Sequence, residues 1–161
     1  MGDARILSIG RAVPQRRYTQ HEVHAHNPWE DTALIDRLFL ESPVHTRALY
    51  VPPQWYRTER TLSETNDAWR AGALQLSGDA LEQALSRSHT ARTDLDLLAV
   101  TTVTGYTTPG LDLLLAKQHE LPHTVSRVHF NNIGCHAAVP LLRVAADHVR
   151  QRPRTRAAAV A

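Results

Sequence analysis

The chain holds a single cysteine, Cys135, among 161 residues. No internal disulfide can form, and a reducing compartment fits best. No uncharged apolar run approaches the roughly 18 residues that a membrane span requires. The opening stretch MGDARILSIGRAVPQRR carries an acidic residue and only a short apolar run before Pro14, Arg16 and Arg17, which makes a poor signal peptide. Lysine is nearly absent, Lys117 being the only one. Positive charge rests on scattered arginines, and the formal net charge is only +2. The basic tail RQRPRTR is the one cluster, and it reads as a solvated loop rather than a nucleic-acid patch. These absences describe a soluble cytoplasmic protein with neither a membrane nor a nucleic-acid partner. Its length suits one domain with its own core, or half of a larger one.

Elements of two periodicities alternate along the chain. ARILSIG reads as an opening strand ending at Gly10 and Pro14. Thr19 is placed to cap a short helix over QHEVHAH, stopped by Asn27-Pro28. WEDTALIDRLFLES has helical spacing at Leu34, Ile35, Leu38 and Phe39, and HTRALYV is strand-like. Ser63, followed by Glu64, is expected to cap a long helix through DAWRAGALQLSGDALEQALSRS, which Gly72 and Gly78 weaken. DLDLLAVTTV is the strongest strand, apolar at its centre as a strand covered on both faces must be. A Thr/Gly loop, TGYTTPG, leads to a helix over LDLLLAKQHE. VSRVHF is a further strand, and RAAAVA resembles a strand beginning at the chain's end. The pattern predicts an α/β domain with a mainly parallel sheet.

Cys135 sits where the strand VSRVHF gives way to a helix expected over 137–149. Gly134 before it permits a sharp bend with positive φ, and Pro140 suits a first helical turn. Free N–H groups and the positive end of that helix would face Cys135 and favour its thiolate, the nucleophilic form. Ala137, Ala138, Leu141, Leu142, Val144, Ala145 and Val149 cover most of the helix circumference, so a buried central helix is predicted. A cysteine at its mouth suits acyl transfer in a site that excludes water. The plainer alternative is a small buried hydrophobe. His136 is a poor activating base, because adjacent side chains diverge at a helix start.

TTVTGYTTPGLDLLLAKQHEL and RVHFNNIGCHAAVPLLRVAADHVRQRP resemble the type III polyketide synthases, the chalcone synthase-like family. In that family a TPGLD-like turn precedes a GCxAG motif at the head of a buried helix. RILSIGRAVPQRRYTQHEV and VHTRALYVPPQWY are similar to its opening segments. The resemblance implies a thiolase-like fold, of which residues 1–161 would be a single N-terminal domain in a truncated chain lacking the C-terminal half. It implies Cys135 as the nucleophile that takes an acyl group from a coenzyme A thioester, with malonyl-CoA decarboxylated to supply the attacking enolate. It implies no tightly bound cofactor and no metal, acyl-CoA and malonyl-CoA as substrates, and a homodimer at full length. Thr104, Gly105 and Thr108 match the turn that shapes the starter pocket; plant members carry a methionine at the position of Thr108. Ala138 replaces the glycine of GCxAG. Arg47 matches a strand arginine, but no coenzyme A-binding residue is assigned. The family's His and Asn partners of the cysteine have no counterpart here, so this segment alone should not condense. Other readings are an inactive remnant or non-catalytic module, a ketoacyl-acyl-carrier-protein synthase III, and a cysteine peptidase. A metal site on His21, Glu22, His24 and His26 is a further one, though their spacing is not that of a zinc protease.

Overall fold

The computed structural model describes residues 3–28, 32–152 and 154–161. The chain forms two compact units, one of Val13–Ala68 and one of Met1–Ala12 with Trp69–Ala161.

In the smaller unit, β1 (Arg17–Thr19) and β2 (Thr46–Ala48) form an antiparallel ribbon with Tyr18 opposite Arg47. This pairing was not expected from the sequence, and the strand predicted over HTRALYV shortens to three residues. Thr19 caps α1 (Gln20–His24), as predicted, and does so in a capping box with Glu22. The next helix, α2, covers Thr32–Leu40; the predicted part of it at Trp29, Glu30 and Asp31 lies outside the described residues. His24 Nε2 meets Asp36 Oδ1 at 2.7 Å. Arg47 donates to Gln20 Oε1 at 2.8 Å and stacks over Phe39. The loop after β2 contains a short 3-10 helix, Pro53–Arg57.

The long helix α3 spans Leu62–Ser88. Its cap is Thr61, not Ser63: Glu64 N–H donates to Thr61 Oγ1 at 3.2 Å, and Thr61 N–H donates to Glu64 Oε2 at 2.8 Å. The box needs its glutamate three residues after the cap, and only Thr61 stands at that distance. Neither glycine breaks α3. Gly78 leaves room for a neighbour, since a Cβ there would come within 2.7 Å of His119 Nε2.

The larger unit contains α3 from Trp69 onward, β3 (Leu97–Thr102), α4 (Leu111–Gln118), β4 (Ser126–Asn131), α5 (Ala138–Gln151) and β5 (Ala157–Val160). The sheet runs β4-β3-β5, parallel throughout. All of β3 is buried, as its apolar run predicts. Leu98 and Val100 pack with Leu81, Leu85, Leu111 and Leu115, while Leu97 and Ala99 pack with Leu141 and Ala145. Helices therefore cover both faces, the arrangement that parallel strands require. Each fully buried leucine contributes about 2 kcal/mol by area removed from water.

The predicted opening strand does not form. The segment instead bonds to α3: Ser8 Oγ donates to the Ala84 carbonyl at 2.7 Å, Arg11 N–H to Gln83 Oε1 at 2.9 Å, and Arg87 Nη1 to the Ile9 carbonyl at 2.6 Å. Gly10 permits this approach, because a Cβ there would collide with the Ala80 carbonyl. Ile6, Leu7 and Ile9 are left exposed. Among the described residues, no helix is long and apolar enough to cross a membrane.

Candidate functional site

Cys135 lies between β4 and α5, as the sequence indicates, and the backbone that carries it is unusual. Asn132 has φ +57° and Gly134 has φ +86°. At Gly134 it is the left-handed conformation, not crowding, that calls for glycine: an added Cβ would meet only His136 Nδ1, at 3.8 Å. The Asn132 N–H donates to the Thr102 carbonyl at 3.0 Å, which ties the start of the turn to the end of β3. Ala137 N–H returns to the Gly134 carbonyl at 3.1 Å, and α5 begins at Ala138 with Pro140 inside its first turn.

Two expectations about this site need correction. Cys135 is exposed, which removes the buried-hydrophobe alternative and also the idea that the present residues shut water out. The sheet covers α5 on one side only: Leu141 and Ala145 are buried, while Val139 and Leu142 stand in the open. The composition of the helix showed how much of its surface is apolar, not what covers it.

A cleft of ≈ 510 Å³ opens beside the cysteine, lined by Cys135, Gly134, Trp69, Thr101, Val103 and Arg11 among others. Its walls come from the end of β3, the head of α5, the middle of α3 and the segment before residue 13. Thr101 is 7% exposed, and its hydroxyl has no partner among the described residues. None of the lining side chains is a His, Asp or Glu, so the cleft holds no base for the thiol. His136 is exposed. Sequence reasoning missed Trp69 and Thr101, because their place depends on how α3 rolls against β3. The Thr-rich end of DLDLLAVTTV was the only signal.

The loop residues predicted to shape a starter pocket fall into two groups. Thr104 and Thr108 are exposed and do not line the cleft. Gly105 is buried against Trp69, whose ring a Cβ at Gly105 would overlap. Its contact with the cleft is thus indirect, through the tryptophan. Two of the four alternative metal ligands are otherwise engaged: Glu22 closes the Thr19 capping box and His24 pairs with Asp36. Among the described residues, no three His, Cys, Asp or Glu side chains cluster where a metal ion would fit.

Comparison with known proteins agrees with this architecture. The family profile for the N-terminal domain of chalcone and stilbene synthases matches residues 1–161. The chain is 32% identical over 136 residues to the 1,3,6,8-tetrahydroxynaphthalene synthase of Streptomyces peucetius subsp. caesius, covering 81% of this chain and 36% of that enzyme. It is 30% identical over 156 residues to the 3,5-dihydroxyphenylacetyl-CoA synthase of Streptomyces toyocaensis, covering 92% of this chain and 39% of that enzyme. The crystal structure of the C-terminal type III polyketide synthase domain of Steely1, a type I/III hybrid from Dictyostelium, superposes with a TM-score of 0.86 at 26% identity. That match covers 98% of this chain and 47% of the solved one. The chain thus spans less than half the length of the proteins it matches. From the profile match and the shared architecture, the chain belongs to the chalcone and stilbene synthase family, with the thiolase-like fold of the type III polyketide synthases, and corresponds to their N-terminal domain.

Proposed function

We propose that this chain is the acyl-accepting part of a type III polyketide synthase and that Cys135 carries the acyl group. One observation bears most of the weight: the only cysteine is exposed in a cleft at the head of α5, on a turn held by the left-handed Gly134. The thiolate attacks the carbonyl of an acyl-CoA thioester. A carbon–sulfur bond to Cys135 forms, the bond to coenzyme A breaks, and coenzyme A leaves as a thiolate that takes up a proton. Malonyl-CoA then loses carbon dioxide. The resulting enolate attacks the Cys135 thioester, lengthening the chain by two carbons and freeing the sulfur.

The cleft's own lining supplies the nucleophile and its walls but no base. The group that deprotonates Cys135 must therefore come from outside that lining. The matched enzymes are more than twice the length of this segment, and in the full enzyme we assign the base and the closing wall to the part that this segment does not span. Acyl-CoA and malonyl-CoA are substrates in this reading. The working enzyme is a cytoplasmic homodimer.

A second reading, a non-catalytic module, has one observation in its favour, the same lack of a base in the cleft. The two readings part in a turnover assay of the full-length enzyme with malonyl-CoA and a panel of acyl-CoA starters. The acyl-transfer reading expects coenzyme A and carbon dioxide release with the native cysteine, and neither polyketide nor coupled release in Cys135→Ala. Undiminished product from Cys135→Ala would overturn it.

A further inference from the structure

On the face of β4 turned toward α4, polar residues replace the apolar ones that a covered strand normally presents. Arg127, His129 and Asn131 alternate there, while Val128 and Phe130 pack toward α5. Arg127 and Asn131 are exposed and His129 is half-buried, and each of the three has a polar partner. Arg127 Nε donates to Asp112 Oδ2 at 3.2 Å. Thr102 Oγ1 donates to Asn131 Oδ1 at 2.8 Å. Between these pairs stands His129, its side chain 15% exposed, with Nδ1 at 3.4 Å from Asp112 Oδ1 and Nε2 at 3.3 Å from Thr102 Oγ1.

The partners of His129 have a specific place in the chain. Thr102 is the last residue of β3, and Asp112 lies in the first turn of α4. Everything between them is the loop that carries Thr104, Gly105 and Thr108. One imidazole therefore touches both stems of that loop. Gly110, the residue before α4, makes the contact possible, since a Cβ there would come within 2.5 Å of Asp112 Oδ1 and 2.7 Å of His129 Nδ1. Its φ is −61°, so glycine serves space rather than conformation. Asp112 also gains from the positive end of α4, which fixes the carboxylate on this side.

We infer that His129 is a positioning residue that clamps the two stems of loop 103–110 and thereby sets the wall of the acyl pocket. The clamp itself stands on the contacts above. Its effect on acyl groups rests on the proposed function, through Gly105 against Trp69 and Trp69 in the lining of the Cys135 cleft. His129 touches no reacting atom in this scheme, so it should govern which starter fits rather than how fast chemistry proceeds.

The test uses the full-length enzyme with three substitutions: His129→Phe, which keeps an aromatic ring and loses both contacts; His129→Gln, which keeps one polar end; and Asp112→Asn. Hydrogen–deuterium exchange at loop amides 103–107 should rise at least tenfold in His129→Phe and by less in His129→Gln, with α5 protection unchanged. The KM for the preferred acyl-CoA should rise several-fold while kcat changes less than twofold. Adding Asp112→Asn to His129→Phe should change loop exchange little further, because the His129–Asp112 link that it weakens is already lost in the Phe variant. Should the Phe variant misfold, the Gln variant carries the same comparison. Unchanged loop exchange, or raised exchange with an unmoved KM, overturns the inference. The exchange measurement does not depend on acyl transfer: a loosened loop in a protein whose Cys135 is never acylated would overturn the proposed function and leave the clamp standing.

Discussion

Gly105 lies so close to the indole of Trp69 that a Cβ at this glycine would overlap the ring. The contact joins the Thr/Gly loop to α3 and, through Trp69, to the cleft that holds Cys135. No positive φ is recorded at Gly105, so only the lack of a side chain recommends glycine there. Gly105→Ala must move either the loop or the tryptophan. Overpacking of this kind costs about 1–3 kcal/mol. Chemical denaturation should show a loss in that range, and Trp69 emission should shift with it. A variant as stable as the parent with an unmoved spectrum would mean that the close approach does not constrain the loop.

The cap of α3 offers a sharper choice. Thr61 and Glu64 exchange hydrogen bonds in both directions, while Ser63 lies inside the helix. Thr61→Ala should destabilise the protein by about 1 kcal/mol. Ser63→Ala should change stability by less than about 0.5 kcal/mol. Thermal melts of the two variants settle the assignment, and a larger loss at Ser63 would reverse it.

Glu82 couples acidity to stability. Its Oε1 accepts from Arg92 Nε at 2.9 Å and lies 2.7 Å from His119 Nδ1. The Arg92 hydrogen bond holds its carboxyl below the ordinary glutamate value; partial burial opposes this, and the His119 contact reinforces it. A carboxylate whose folded value is depressed stabilises the fold above its unfolded value, and that contribution is lost as pH falls through the folded value. The side chain is 38% exposed, so solvent screening keeps the effect small. The stability gap between the native protein and Glu82→Gln should be flat above about pH 5 and should shrink below the ordinary value of 4.5. A gap that widened on acidification would contradict the assigned sign.

How much of this was legible in the residues depends on the range of the interaction. β3 and the turn at Cys135 rest on local signals: an apolar run, a glycine before the cysteine and a proline in the first helical turn. The cap of α3 was equally local, yet Ser63 drew attention away from Thr61, whose spacing to Glu64 was the better signal. The opening strand failed because the apolar residues of ARILSIG show that the segment can pair, not what it pairs with, and its hydrogen bonds go to α3. The β1–β2 ribbon was missed because it joins short segments far apart in the chain. Trp69 at the cleft and His129 between Thr102 and Asp112 depend on how a helix and two strands come together, and no spacing rule reaches that far.

The central claim is that Cys135 carries the acyl group, and its most direct test is mass measurement of the full-length enzyme after exposure to an acyl-CoA, followed by peptide mapping. The account predicts a mass increase equal to one acyl group, located on the peptide containing Cys135 and absent from Cys135→Ala. An unmodified Cys135 under conditions where product forms, or an adduct that persists in Cys135→Ala, would contradict it.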